Sequence, residues 1–226
     1  MPSLSIIVPT RRSSSTLCAR LSRLARALPD AQVIVVEPDD LAPTGDEPAL
    51  PAHVVRLRAP RGRGTQCNAG VRIARGELLM FLHDDTALPA GAFAAVAAAF
   101  ADPRTAMTCF RLRFDRRHWL LGLYGWFSRF DSIWTTFGDQ AMVVRHDLLD
   151  AVGGLPDWPL YEDVELARRM RRIGRIVKLP LTVTTSAVRY ARNGIVRQQL
   201  ANAVAITRFL LGASPWRLAA AYEGRR

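Results

Sequence analysis

Lysine is nearly missing from this sequence: Lys178 stands alone among 31 basic residues, and arginine supplies the rest. A basic complement made almost wholly of arginine reflects genome composition before function, so the formal charge of +11 does not by itself name a partner. Where the charge does act, it would draw anionic lipid head groups, nucleotide phosphates or nucleic acid. No nucleic-acid-binding motif accompanies it, so nucleic acid is not an expected partner. Cysteine is scarce too. Cys18, Cys67 and Cys109 are odd in number and widely spaced, with no C-x-x-C pair. That argues against a disulfide framework or a zinc knuckle and makes a reducing cytosol the simplest home. Long apolar runs are absent. The longest uncharged stretch, Thr86 to Ala101, has 16 residues, is mostly alanine and contains Pro89, too short and too weakly apolar to span a bilayer. Arg11 and Arg12 are followed by a segment broken by Arg20, Arg23 and Arg26 rather than by an apolar run, so no signal peptide is expected. The expected location is the cytoplasm, in solution or at the inner face of the cytoplasmic membrane. Neither a P-loop nor a G-x-G-x-x-G after the first strand is present.

What is present is an ordinary globular balance, 49% hydrophobic and 23% charged over 226 residues, enough to bury a core. The first half alternates strand and helix. Leu4 to Pro9, Val33 to Val36, His53 to Leu57 and Leu78 to Leu82 are short apolar runs of the kind that form strands buried on both faces. Between them, Leu17, Leu21, Leu24 and Leu28 repeat at helical spacing behind the hydroxyls of Ser13 to Thr16. Thr65 to Ala74 and Ala90 to Ala101 are predicted helices, and residues 39–52 an exposed loop. This alternation predicts an α/β fold with a mostly parallel sheet flanked by helices. Ligands of such sheets bind at the carboxyl ends of the strands, here Pro9-Thr10, Glu37, Arg58 and His83-Asp84-Asp85.

The second half is less regular. Thr108 to Phe114 and Gln140 to Val144 read as strands, and His146 to Val152 as a short helix. A turn at Gly153-Gly154-Leu155-Pro156 leads to a helix with acids first and arginines later, in keeping with the helix dipole. Residues 116–137 hold seven aromatic side chains. They suit a core-covering subdomain, or an amphipathic surface that receives a lipid-linked acceptor. A final helix is predicted over Arg197 to Leu211. The expected organisation is a single domain over residues 1–190, with 191–226 a helical extension packing on it or on a membrane.

Three segments carry chemistry. Asp84 and Asp85 end a buried strand, where adjacent carboxylates repel unless something positive binds, and a divalent cation holding a diphosphate would do so; the plainer reading is a turn with Asp85 or Thr86 as N-cap. Glu162 and Asp163 precede a helix, as a cap or as a general base for an acceptor hydroxyl. Arg61 to Gly70 sets glycines and arginines before a helix, a pattern able to hold phosphate.

Taken in order, these segments resemble a family-2 glycosyltransferase of the GT-A fold over roughly residues 4–190. The landmarks are Ser5-Ile6-Ile7-Val8-Pro9-Thr10, Val33-Ile34-Val35-Val36-Glu37 and Gly62 to Gly70, then Phe81-Leu82-His83-Asp84-Asp85-Thr86, Gly138-Asp139-Gln140-Ala141, and Gly153-Gly154-Leu155-Pro156 running on to Glu162-Asp163-Val164-Glu165-Leu166. The resemblance implies a metal-dependent, inverting transfer of a sugar from a nucleotide-sugar donor, with a UDP-sugar the first expectation, to a hydroxyl acceptor. It puts Pro9 and Thr10 beneath the nucleotide and Glu37 at the base, with Arg63, Gln66 and Arg189 as further donor contacts. Asp85 would hold Mn²⁺ or Mg²⁺, with Asp84 near the ribose or the metal. Asp163 would be the catalytic base with Glu162 beside it. The chain departs from the family at Thr10-Arg11-Arg12-Ser13, where an acid is common, at Glu37 in place of Asp, and at His83 in place of the first Asp of Asp-x-Asp, as in one bacterial subgroup. No Gln-x-x-Arg-Trp element is present, so processive polymer synthesis is not expected. A nucleotidyltransferase with a similar sheet and a non-catalytic basic protein of the membrane surface are the alternative readings.

Overall fold

A computed structural model describes residues 2–42 and 48–223. The predicted loop over 39–52 falls partly outside the described residues. Seven strands form one sheet: β1 (Leu4–Pro9), β2 (Gln32–Pro38), β3 (Val54–Ala59), β4 (Leu78–Phe81), β5 (Thr105–Phe114), β6 (Met142–Arg145) and β7 (Arg175–Thr185). Their order is β3-β2-β1-β4-β6-β5-β7; β6 runs antiparallel to β4 and β5, and the other pairs are parallel. The expected α/β architecture is therefore present, with one reversed strand at its middle.

Alternation along the strands sends side chains to two cores. Ile6, Val8, Val33 and Val35 pack with Leu17 and Leu21 of helix α1 (Ser15–Ala27) and Val96 of α3 (Ala92–Ala99). Ile7, Ile34 and Val36 face the other way, onto Cys67 and Ala69 of α2 (Arg63–Val71) and Leu166 and Met170 of α6 (Glu162–Ile173). Ser14 caps α1 by accepting the Leu17 N–H at 3.2 Å. Gly70 lets α2 lie close to the sheet: a Cβ there would sit 2.6 Å from Ile7 Cγ2.

Residues 116–137 supply the short helix α4 (Trp119–Phe127), and α5 (His146–Ala151) matches the predicted helix there. Among the described residues three helices follow β7, α7 (Val188–Asn193), α8 (Ile195–Leu210) and α9 (Pro215–Glu223), of which the helical pattern over Arg197 to Leu211 predicts only α8. Strand β7 was not foreseen either, because Arg175, Lys178 and Pro180 break its apolar pattern. It tolerates Pro180 because it is the edge strand. Its register with β5 also jumps from Phe110↔Leu179 to Arg111↔Thr182, which leaves Pro180 inside the irregularity.

Candidate active site

The carboxyl ends of β1, β2 and β4 open on one side of the sheet, and the turn after β4 supplies the first acids. Leu82 has left the strand but still donates its N–H to Ile7 O at 3.0 Å. The chain then turns, with Thr86 N–H donating to His83 O at 3.1 Å, and Ala87 pairs with Thr184 of β7. This clamps the two aspartates in place. The Thr10 hydroxyl donates to Asp84 Oδ2 at 2.6 Å, and Arg20 Nη1 to Asp84 O at 3.0 Å. Thr185 donates to Asp85 Oδ1 at 3.2 Å. Burial and the neighbouring Asp84 raise the pKa of Asp85 above its ordinary value.

The loop after β1 is fixed from beneath. Gln66 donates through Nε2 to Thr10 O at 2.8 Å and to Val36 O at 2.7 Å. Glu37, at the end of β2, is buried; Oε1 accepts the Ser13 N–H at 2.9 Å, and Oε2 lies 3.7 Å from Arg56 Nε. Both residues thus shape the floor of the loop that carries Thr10.

The second pair of acids arrives on α6. Its first turn is entered through Tyr161 at φ 65, a left-handed conformation that a non-glycine residue adopts at a cost. No side chain caps the helix at Tyr161, and Asp163 lies one residue inside rather than at the cap. Its carboxylate accepts the Val164 N–H at 2.9 Å and, across the fold, the Gly138 N–H at 2.6 Å. A Cβ at Gly138 would stand 2.9 Å from Asp163 Oδ2, so a larger residue here would displace that carboxylate.

Arg63, the first residue of α2, ties the two groups of acids together. Its Nε is bonded to Glu162 Oε1, its Nη2 lies 3.3 Å from Asp163 Oδ2, and its Nη1 is 3.0 Å from His83 Nε2. Burial alone would make the guanidinium easier to deprotonate; Glu162 and Asp163 outweigh that and hold it firmly charged. Burial and the charge of Arg63 push His83 well below its ordinary range, which favours the neutral imidazole, and a neutral ring would accept the Arg63 N–H at Nε2. Glu162 and Asp139 are pushed up to about 7, in both cases chiefly by burial and then by Asp163. The charge of Arg189, at the start of α7, acts on both His83 and Asp85.

The fold therefore brings Pro9, Thr10, Arg63, Asp84, Asp85, Glu162, Asp163 and Arg189 to one place, with Gln66 and Glu37 in support. Pro9, Arg63, His83, Gly138, Glu162 and Asp163 line one small cavity. Sequence reasoning gives no role to two contributors: Asp139, within the Gly138-Asp139-Gln140-Ala141 landmark, and Thr185 of β7. Among the described residues no three of His, Cys, Asp and Glu form a closed metal cage. The hard oxygen donors of Asp84 and Asp85, the latter raised in pKa by burial and then by Asp84, suit a divalent cation that takes its remaining ligands from a diphosphate or water.

The S. aureus TarS structure covering residues 1–349 of that protein superposes on this chain with a TM-score of 0.63 at 15% identity, covering 96% of this chain and 68% of that one. The same TarS fragment in complex with UDP-GlcNAc gives 0.57 at 17%, over 81% and 58%. The mannosyltransferase PcManGT from Pyrobaculum calidifontis, in complex with GDP-Man and Mn²⁺, gives 0.60 at 19%, over 81% of this chain and 56% of that one. At these identities the likeness establishes the GT-A fold, and this chain spans little more than half the length of PcManGT. No curated protein matches the sequence. The profile of glycosyl transferase family 2 matches residues 5–140, more than half of the chain, and with the sheet it places this protein in glycosyl transferase family 2, as a glycosyltransferase.

Proposed function

We propose that this chain moves a sugar from a nucleotide-sugar donor to a hydroxyl acceptor with inversion, in one in-line displacement. The observation that carries the reading is the meeting of two acidic pairs, Asp84-Asp85 and Glu162-Asp163, around Arg63 and the neutral His83. A family-2 profile and neighbours that hold GDP-Man with Mn²⁺ or UDP-GlcNAc support a nucleotide-sugar donor. A UDP-sugar is the first choice.

In this reading Pro9 and Thr10 support the nucleotide, and Glu37 lies toward the base. Asp85, with Asp84, holds Mn²⁺ or Mg²⁺; the cation would neutralise charge on the departing diphosphate. Arg189 and the first turn of α2 face the same phosphates. Asp163 takes the proton of the acceptor hydroxyl, which is a poor nucleophile until that proton is shared. Glu162 and Arg63 fix the orientation of Asp163. Residues up to 190 form the catalytic domain, and the described residues beyond it, to 223, a helical extension.

Calorimetry of UDP and GDP with Mn²⁺ tests the donor side. Binding is expected to be metal-dependent and largely abolished by Asp85→Ala. It should also strengthen as pH rises from acid toward neutral, because the raised pKa of Asp85 makes protons compete with the cation. Unchanged metal-dependent binding in Asp85→Ala would sink the assignment.

A further inference from the structure

Helix α8 buries Ile206 beside a polar network and turns a second apolar stripe outward. Its inward side carries Gln198, which is buried and donates to Asn202 at 2.7 Å; Asn193 donates to Gln198 at 2.7 Å, and Asn202 to the Tyr190 hydroxyl at 3.1 Å. Its outward side carries Val196, Leu200 and Val204, a stripe with a four-residue repeat that is 55%, 62% and 51% exposed. A helix whose only task was to cover a domain would put these residues the other way round. Helix α4, which packs against α8, buries Leu121 and likewise turns apolar residues outward, with Trp119, Trp126 and Phe127 exposed. Phe130, Trp134, Leu211 and Trp216 are exposed as well.

Charge decides what covers this face. Residues 116–130 and 186–221 contain eight arginines and no aspartate or glutamate. Arg116, Arg117, Arg129, Arg192, Arg197 and Arg208 are exposed. The two acids that flank α4 are engaged: Asp115 accepts the Ala187 N–H at 2.8 Å, and Asp131 is 2.6 Å from Arg171 Nη2. A second copy of the chain would set arginine against arginine across a shared axis. A nucleic acid would offer phosphates but nothing to receive the Val196–Leu200–Val204 stripe.

We propose that the α4–α8 face docks on the surface of an anionic phospholipid bilayer. Its aromatic and aliphatic side chains enter the interfacial layer, and its arginines meet the lipid phosphates. Among the described residues no helix is long and apolar enough to cross a membrane, so the contact is with one surface. The docked face adjoins the acid pair. The Phe209 ring of α8 lies 4.7 Å from Tyr161, and Tyr124 of α4 lies 6.4 Å from Phe137, the neighbour of Gly138. On the reading of the site given above, an acceptor carried by a lipid of the same bilayer would meet Asp163 without leaving the membrane.

Flotation of the whole chain with phosphatidylcholine vesicles, with and without phosphatidylglycerol, tests the docking itself. Recovery is expected only with phosphatidylglycerol and should weaken as salt rises. Replacing Arg116, Arg117 and Arg129 together by alanine should lower the partition by about two orders of magnitude, and Trp119→Ala with Leu200→Gln should also lower it. Melting curves matching the parent would show these variants folded, without any assumption about the reaction. Equal recovery from both vesicle types, or from neither, would overturn the proposal. So would a dimer in sedimentation that Leu200→Glu dissolves while no vesicle binding is seen.

Discussion

Arg63 is one guanidinium shared by Glu162 and Asp163, with His83 on its remaining nitrogen. The two acids differ in how they are held. Asp163 is fixed by N–H donors from Val164 and Gly138, whereas Glu162 is almost sealed and its Oε2 is buried without a hydrogen bond among the described residues. On the proposed reading, that difference fits Asp163 as the proton acceptor and Glu162 as the residue that orients it. Asp163→Asn is therefore expected to lower turnover by roughly a hundredfold or more while donor affinity stays near the parent value. If Asp163 only stabilised the helix start, its loss would cost about 1 kcal/mol and leave turnover intact. Kinetics and nucleotide titrations on Asp163→Asn and Glu162→Gln side by side separate these outcomes. Near-normal turnover in a well-folded Asp163→Asn protein would end the assignment.

At the scale of elements, the site depends on how α2 meets the turn before α6. The Gly64 N–H donates to Trp158 O at 3.1 Å, and a Cβ at Gly64 would stand 2.0 Å from Pro156 O. The backbone of the turn presses on the first turn of α2, and this contact sets where Tyr161 and the two acids lie relative to Arg63. Gly64→Ala should cost about 1–3 kcal/mol, since neither backbone can yield without moving its element. A denaturant titration reads this as a lowered midpoint, and turnover should fall with it as the acids shift. An unchanged midpoint would show that the turn adapts. The unforeseen β7 belongs to this scale too, because it carries Thr185 to Asp85.

The whole molecule separates its charges. The chain as a whole carries a formal +11, mostly from arginine, whereas Glu162, Asp163 and Asp139 gather around Arg63 in the interior. Glu162 and Asp139 are pushed up to about 7 from ordinary values of 4.5 and 3.8, chiefly by burial. The native cluster thus keeps protons that the unfolded chain has already released. Its contribution to stability is fully present below those ordinary values and is lost as pH rises toward 7. Urea unfolding with a chelator present should show stability falling between about pH 4 and about pH 7, by a few kcal/mol from this cluster. Glu162→Gln should flatten the slope. A parent and variant with equal slopes would mean that Glu162 ionises normally in the fold.

What the sequence determined by itself was local or strictly ordered. The apolar runs of β1, β2 and β4, the helical leucine spacing of α1 and the order of the acidic and glycine-bearing segments all survive reading one residue at a time. They were enough for the α/β class, the family and the grouping of Asp84, Asp85, Glu162 and Asp163. The tertiary structure decided what depends on partners far along the chain. Strand β7 is stabilised by pairing at a sheet edge, so Pro180 and its charged residues could hide it from any local pattern. The aromatics of 116–137 could cover a core or face outward until packing chose which; Leu121 went in and Trp119 stayed out. The polar inner side of α8 became visible only when Gln198 and Asn202 were joined to Tyr190. Asp85 and Thr185 lie 100 residues apart in sequence, and Asp139 gains its raised pKa from burial beside Asp163. Such effects arise from desolvation and proximity, which a chain acquires only when its sheet order brings distant residues together.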